Sequence, residues 1–364
     1  MTAGPEIKRF ELVVLRQAQD ERNEQRFPKG DRMSTKPTIA VLGSGAWGTA
    51  LSVLLAHNGH LVWLWGNEPS QIEQLARDRV NKAIPDVQLP RAIEPRADLT
   101  AVAREAKHFL VAVPSHAFRA TLEAMRPHVA AGTVVAWATK GLEPGSGKLL
   151  SSVAEEVLSN VGALGVISGP TFAGEIARGL PAALTVAARD AAAAGSIADW
   201  LRNERVRVYT STDVAGVQLG GAIKNVLAIA AGISDGLGFG SNARAALITR
   251  GLTELTRLGT AMGGKLETFM GLTGAGDLIL TCTDNASRNR RVGLGLGQGR
   301  KLKDVLTEIG QEAEGVATAR ELHQVAARLK VEMPITEQVY RVLYEGLSPD
   351  AAVEALFRRE ARLE

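Results

Sequence analysis

Cysteine is almost absent from this chain: Cys282 is the one thiol in 364 residues. That excludes an internal disulfide framework and a cysteine-rich zinc site, and makes the reducing cytoplasm the expected location. Aromatic residues are scarce at 4%, too few for a base-stacking surface, and 42 Lys and Arg stand against 39 Asp and Glu. Nucleic acid is therefore not an expected partner, although the small basic excess suits an anionic metabolite. No grouping of His, Cys and Asp has metal-ligand spacing, so no metal is expected. What remains is ordinary for a globular protein, with 45% hydrophobic and 22% charged residues. The length suits two domains of about 100–200 residues each.

Residues 1–35 read as a disordered tail. Arg16–Arg26 is charged, Pro28, Gly30 and Pro37 follow, and apolar content is low. The patch Leu12–Leu15 falls far short of the roughly 7–15-residue apolar core of a secretory signal. Met33, just before the first convincing strand, is expected to be the natural start. Val214–Ile233 is long and apolar enough to raise the question of a membrane span. Gln218, Lys224 and Asn225 fall at its middle, where a lysine alone costs roughly 2.5–3.5 kcal/mol on insertion. A buried helix is expected instead, with no integral membrane segment.

From Thr38 onward, short β-rich runs alternate with helix-length segments. The runs are Thr38–Leu42, Leu61–Trp65, Phe109–Val113, Val134–Ala138, Gly165–Ile167, Leu184–Ala187 and Val206–Tyr209. Thr49–His57, Ala117–Met125 and Lys148–Leu158 have helical character between them. Such alternation implies a mainly parallel sheet covered on both faces. After about Thr210 only helical periods continue, through Ala243–Met262, Val316–Leu329, Ile335–Tyr344 and Ala351–Phe357. The fold class is thus α/β plus all-α, with a doubly wound domain over 36–210 and a helical domain over 211–364. The glycine-heavy stretch Gly293–Gly299 is expected to mark a helix end and a turn.

The first strand leads into Gly43-Ser-Gly45-Ala46-Trp47-Gly48 and then an alanine- and leucine-rich helix. Gly-x-Gly-x-x-Gly between strand and helix is the Rossmann dinucleotide fingerprint. Its first glycine permits the turn, the second lets backbone approach a pyrophosphate, and the third allows helix to pack on strand. The helix N-terminus offers free N–H groups to the phosphates. After the second strand comes Gly66-Asn67-Glu68-Pro69. An acid there would pair with the ribose of NAD, and an arginine would favour NADP. Asn67 is neutral and Glu68 can equally cap the next helix, so NAD and NADP both remain open.

Two lysines carry the chemistry. Lys140 follows a β run, at the sheet edge where ligands bind, although a plain loop lysine would look the same. Lys224 lies in a helix otherwise short of charge, with Gly220 and Ala228 four residues to either side, leaving room for a ligand. If buried, its proton affinity falls and it becomes a general acid; otherwise it snorkels to the surface. Asp277 follows a glycine-rich turn and reads as a lysine partner or a helix cap, with Thr281 one turn later. Ser287-Arg288-Asn289-Arg290-Arg291 suits a phosphate, or a solvated basic helix start. Cys282 reads as a buried small residue rather than a nucleophile.

Taken together, these stretches resemble the NAD(P)-dependent glycerol-3-phosphate dehydrogenase family in its bacterial form. The resemblance runs from about Thr38 to the C-terminus. It rests on Gly43–Ala50, Ala138–Gly141, Ser168–Ala173, Gly221–Asn225, Asn242–Gly251, Gly274–Leu278 and Ser287–Asn289. It implies interconversion of dihydroxyacetone phosphate and sn-glycerol 3-phosphate, feeding glycerophospholipid synthesis. It further implies Lys224 as acid/base, oriented by Lys140 and Asp277, with Asn225 and Thr281 nearby. Ser287, Arg288 and Asn289 would hold the substrate phosphate, assisted by Gly169 and Thr171. Ala46, Trp47, Lys140, Ala173, Arg288 and Glu314 match cofactor contacts. Asn67 stands where relatives often carry His or Arg, and Glu312 replaces a usual valine. A β-hydroxyacid or ketopantoate-type reductase would share the layout, as would a dinucleotide sensor without turnover. Oligomeric state is left open, a homodimer being one candidate assembly.

Overall fold

β1 (Ile39–Leu42) has both faces buried: Ile39 and Val41 enter one apolar cluster, Ala40 and Leu42 another. Period-two alternation with no polar face is what a strand sandwiched between two helical layers requires. The structure, a computed structural model, describes residues 36–358; the expected tail and the start at Met33 lie outside the described residues.

Around β1 the chain places β2 (Val62–Trp65), β3 (Ile93–Arg96), β4 (His108–Val111), β5 (Val134–Trp137), β6 (Ala163–Ser168), β7 (Ala182–Ala188) and β8 (Val206–Ser211). They form one eight-stranded sheet in the order β3-β2-β1-β4-β5-β6-β7-β8. β1 to β6 pair in parallel; β7 is antiparallel to β6, and β8 parallel to β7. The strand order reverses between β1 and β4, which opens a crevice at their carboxyl ends.

Helices α1 (Ala46–His57), α2 (Pro69–Asp78), α3 (Leu99–Glu105), α4 (Ser115–Met125), α5 (Leu150–Val157), α6 (Ala173–Ala177) and α7 (Ala191–Leu201) accompany the sheet. Leu51 and Leu55 of α1 and Ile197 of α7 fill one face; Val102 of α3, Phe118 of α4 and Val153 of α5 fill the other. The mainly parallel sheet expected from the alternation is present. β3 is an addition: Ile93-Glu-Pro-Arg96 has a proline and two charges, which an edge strand tolerates because only one side must pair.

Beyond β8 the described chain is helical: α8 (Val214–Gly236), α9 (Gly240–Ala261), α10 (Leu266–Met270), a π-helical turn (Leu272–Gly276), α11 (Asp277–Thr283) and α12 (Arg288–Gly297). α13 (Leu302–Ile309), α14 (Glu314–Leu329), α15 (Pro334–Tyr344) and α16 (Pro349–Phe357) complete it. α8 is the axis of this half, buried continuously from Gly216 to Ser234, as expected of a core helix. Asp213 sets its start, accepting from Gly216 N at 2.9 Å and from Lys265 N at 2.8 Å. Ile223, Leu227 and Ile229 lie in the helical core, each contributing about 1.5–3 kcal/mol by burial.

The run Gly293–Gly299 does mark a helix end and a turn, with most of its glycines inside the helix. Gly293, Gly295 and Gly297 sit inside α12, not in a turn, and only Gly299 turns, at φ 78°. A Cβ on Gly293 would stand 1.9 Å from Ile229 O, so glycine is what lets α12 lie directly on α8. That contact brings the first turn of α12 against the middle of α8, where Lys224 and Asn225 are.

Candidate active site

A cleft of about 1170 Å³ runs from the turn after β1, past the ends of β4 and β5, to α8 and the first turn of α12. Its walls at one end are Gly43, Gly45, Ala46, Trp47, Gly66 and Asn67. Gly43 holds φ 122°, and a Cβ there would lie 2.7 Å from Ala112 O. Gly48 presses on the same turn: its Cβ would be 1.9 Å from Gly43 O. Gly45 differs, since a Cβ there would meet nothing within 4 Å. The turn and the packing need two of the glycines, and the third faces open space, as a pyrophosphate approaching the N–H groups of α1 requires. Trp47 Nε1, buried and without a hydrogen-bond partner among the described residues, also belongs to this wall. Ala173 lines the cleft from α6. Asn67 is exposed, and Glu68 precedes α2 without capping it through its side chain.

At the floor, three segments deliver three charges. Thr139 Oγ1 donates to Val113 O at 2.8 Å, tying the loop after β5 to that after β4 and aiming Lys140 inward. Lys140 Nζ donates to Asp277 Oδ2 at 2.7 Å and to Gly169 O at 3.1 Å. Lys224 Nζ donates to Asp277 Oδ1 at 2.8 Å and to Thr281 Oγ1 at 2.8 Å. Thr281 Oγ1 passes its own proton to Asp277 O at 2.6 Å, which leaves it an acceptor toward the lysine. Lys224 does not snorkel, and Asp277, wholly buried, is a lysine partner rather than a cap. An ammonium has three protons. Two on Lys224 are taken within the protein, and the third is left for the cleft that the residue lines.

Burial pushes the Lys224 amine down, the Asp277 charge pulls it back up, and the neighbouring Lys140 cation lowers it again, to about 8. Burial raises the Asp277 carboxyl, but Lys140 and Lys224 outweigh it and hold it below the usual range. The small-residue face around Lys224 is not vacant. A Cβ on Gly220 would lie 2.3 Å from Thr273 O, so that face packs against the π-helical turn and the ligand space lies elsewhere. The π-helical turn leads directly into Asp277, whose carboxylate meets the lysines from α11.

The third region is the start of α12. Ser287 caps it, accepting from Arg290 N at 3.1 Å. Asn289 Nδ2 donates to Asn225 Oδ1 at 2.9 Å, and Asn289 Oδ1 accepts from Gly315 N at 2.9 Å. Its amide therefore joins α12, α8 and α14, with Asn225 Nδ2 turned to Gly221 O at 3.3 Å. Arg288 lines the cleft and reaches Gln311 Oε1 at 3.4 Å. Burial lowers its proton affinity, Glu314 and Glu312 restore part, and Arg291 alongside lowers it further. Of the two remaining arginines, Arg290 turns away to Asp235 and Asn285, and Arg291 lines the cleft half-buried. Thr171 also lines the cleft, whereas Gly169 presents its carbonyl to Lys140.

Glu314 accepts from Ser115 N at 3.2 Å and Ser115 Oγ at 2.7 Å, and burial raises its carboxyl. Beside it Glu312 meets His116 Nδ1 at 3.1 Å. These two contacts join the start of α4 to the start of α14 and the residues just before it. Ser115 and His116 carry no local motif, and sequence reading passed over both.

The chain matches the family models of NAD-dependent glycerol-3-phosphate dehydrogenase, the N-terminus over 38–194 and the C-terminus over 213–354. Glycerol-3-phosphate dehydrogenase (NAD(P)+) of Thioalkalivibrio sulfidiphilus is 55% identical over 331 residues, covering 91% of this chain and 99% of the relative. That of Nitrosococcus oceani is 54% identical over 325 residues, covering 89% and 94%. The crystal structure of glycerol-3-phosphate dehydrogenase from Coxiella burnetii matches with a TM-score of 0.86 at 45% identity, covering 89% of this chain and 99% of that one. With paired family models over both halves and relatives of this identity along nearly the whole length, the chain belongs to the NAD-dependent glycerol-3-phosphate dehydrogenase family.

Proposed function

We infer that this enzyme is an oxidoreductase interconverting dihydroxyacetone phosphate and sn-glycerol 3-phosphate with NAD(P)H, with Lys224 as the proton donor and acceptor. Residues 36–210 act as the dinucleotide-binding domain and 211–364 as the substrate and catalytic domain. The cofactor lies along Gly43, Gly45, Ala46, Trp47, Gly48 and Asn67, with Lys140, Ala173, Arg288 and Glu314 toward its reactive end. When bound, the reduced nicotinamide supplies a hydride to the substrate carbonyl carbon.

The observation that carries the reading is that the Lys224 ammonium lines the cleft while only two of its three protons are taken up, by Asp277 and Thr281. A carbonyl oxygen placed there takes the third proton as its carbon is reduced, and in reverse the neutral amine removes it from the alcohol. The two ammonium groups share one carboxylate, so the floor has excess positive charge before transfer and none after it. That difference favours a developing oxyanion. Lys140 and Asp277 hold Lys224 in place, and Thr281 fixes its direction. Ser287, Arg288 and Asn289, assisted by Gly169 and Thr171, receive the substrate phosphate at the α12 N-terminus, where dipole and guanidinium act together, with Asn225 near Lys224. The product is the glycerol backbone of phospholipid synthesis. We assign the reaction to the cytoplasm, where an unpaired thiol such as the buried Cys282 stays reduced.

The test is the oxidation of NADH and NADPH by the purified protein on addition of dihydroxyacetone phosphate, with ketopantoate as control. Turnover with the phosphate ester alone is expected; turnover with ketopantoate alone would overturn the assignment.

A further inference from the structure

The dinucleotide end of the cleft holds a cation that the mechanism above does not use. Ser44, in the turn between β1 and α1, is a meeting point of three segments. Gly66 at the end of β2 comes so near that a Cβ there would lie 2.3 Å from Ser44 Oγ. Ser44 Oγ donates to Gln71 Oε1 of α2 at 3.1 Å, and Ser44 O accepts from Asn81 Nδ2 at 2.8 Å. Asn81 Nδ2 also reaches Thr49 Oγ1 at 2.7 Å, and Asn81 Oδ1 accepts from Ala83 N at 2.9 Å. The backbone on both sides of Lys82 is thereby pinned to the phosphate-facing turn. Lys82 lines the cleft together with Asn67 and Gln71.

The end of the second strand is where a Rossmann sheet reads the adenosine ribose: an acid accepts from a 2′-hydroxyl, and a cation meets a 2′-phosphate. Here the strand itself offers neither, because Asn67 is neutral and Glu68 does not line the cleft. Lys82 does, and it forms no hydrogen bond or ion pair within the protein among the described residues. Asp78 lies within reach of its field, and Asp86 lines the same end of the cleft without pairing with it. A lone ammonium held by a fixed loop beside a ribose pocket is complementary to a dianionic group there.

We propose that Lys82 determines cofactor specificity, its ammonium binding the 2′-phosphate of NADPH while Asn67 and Gln71 contribute neutral hydrogen bonds. The proposal rests on the dinucleotide reading of the cleft given above. Its test compares the full-length enzyme with Lys82→Met, a change at an exposed position that leaves the core intact. Initial rates are measured with dihydroxyacetone phosphate and each cofactor, and inhibition with 2′,5′-ADP and with 5′-AMP. The kcat/KM for NADPH is expected to fall about tenfold, the scale of one charge-assisted contact, and that for NADH by less than about twofold. Inhibition by 2′,5′-ADP weakens in parallel, and the NADPH effect shrinks as salt rises. Equal losses with both cofactors would move Lys82 to the shared pyrophosphate, and no loss with NADPH would leave it a solvated side chain; either result overturns the proposal. Failure of the unmodified enzyme to oxidise either cofactor would instead overturn the reading beneath it.

Discussion

Lys224 Nζ and Asp277 Oδ1 stand 2.8 Å apart in the floor of the cleft, and the second oxygen of the same carboxylate holds Lys140 Nζ at 2.7 Å. One buried anion thus restrains two cations. Removing it should matter twice over. Asp277→Asn is expected to lower stability by about 3 kcal/mol, since breaking a buried pair strands its partners. It should also drop the Lys224 amine below about 8, because the attraction that offsets burial is gone. Urea unfolding and a pH–rate profile check both, and an unmoved profile would refute the coupling.

The sign of the pH dependence follows from which form of Lys224 reacts. Reduction of the ketone needs the ammonium, so kcat/KM in that direction should decline as pH rises through about 8. Oxidation of the alcohol needs the neutral amine and should rise through the same value. Lys224→Ala should lose roughly 10²–10⁴-fold in kcat with cofactor binding kept. Initial rates in both directions, with fluorescence titration of NADH, measure this; a wild-type rate in the variant would rule out Lys224 as donor.

Arg288 lines the cleft without an ion pair among the described residues, its hydrogen-bond partner being Gln311 at 3.4 Å. Arg288→Ala should raise the KM for dihydroxyacetone phosphate about 10–100-fold, the worth of a charged hydrogen bond to phosphate. Unphosphorylated dihydroxyacetone is the control. An equal loss toward it would contradict a phosphate role.

Glu254, on α9, accepts from Ile335 N at 2.6 Å and from Thr336 N at 3.1 Å, fastening the start of α15. Burial outweighs these bonds and pushes its carboxyl up to about 7, from 4.5. The folded protein therefore holds this proton after the unfolded chain has lost it. Stability should fall as pH rises between those values, by on the order of 1–3 kcal/mol from this group. Thermal melts across that range should show a shallower slope for Glu254→Gln; an identical slope would exclude Glu254 as its source.

Much of the fold was legible because the signals are local. Alternation marked seven of the eight strands, and the missing one, β3, is an edge strand whose Pro95 and two charges hide it. Gly43, Gly45 and Gly48 could be given separate roles from one turn's geometry, and the crowding at Gly43 and Gly48 matches the turn and packing expected of those two. The glycines of α8 and α12 could not. Gly220 looked like ligand space, and the run Gly293–Gly299 disclosed only a helix end and a turn, yet Gly220 and Gly293 are each packed against the backbone of another segment, Thr273 and Ile229 respectively.

By itself the sequence determined most of the element types and the glycine-rich turn after β1, and it supplied the charged candidates for the chemistry, because periodicity, backbone freedom and ionisation belong to short stretches of chain. Only the tertiary structure decided which groups meet. It set Asp277 between Lys140 and Lys224, joined Ser115 to Glu314, turned Arg290 toward Asp235 while Arg291 stayed in the cleft, and hung Lys82 beside the first turn. Those pairings depend on how two layers and a helical bundle close around one cleft, and no local pattern encodes the distance between residues so far apart along the chain.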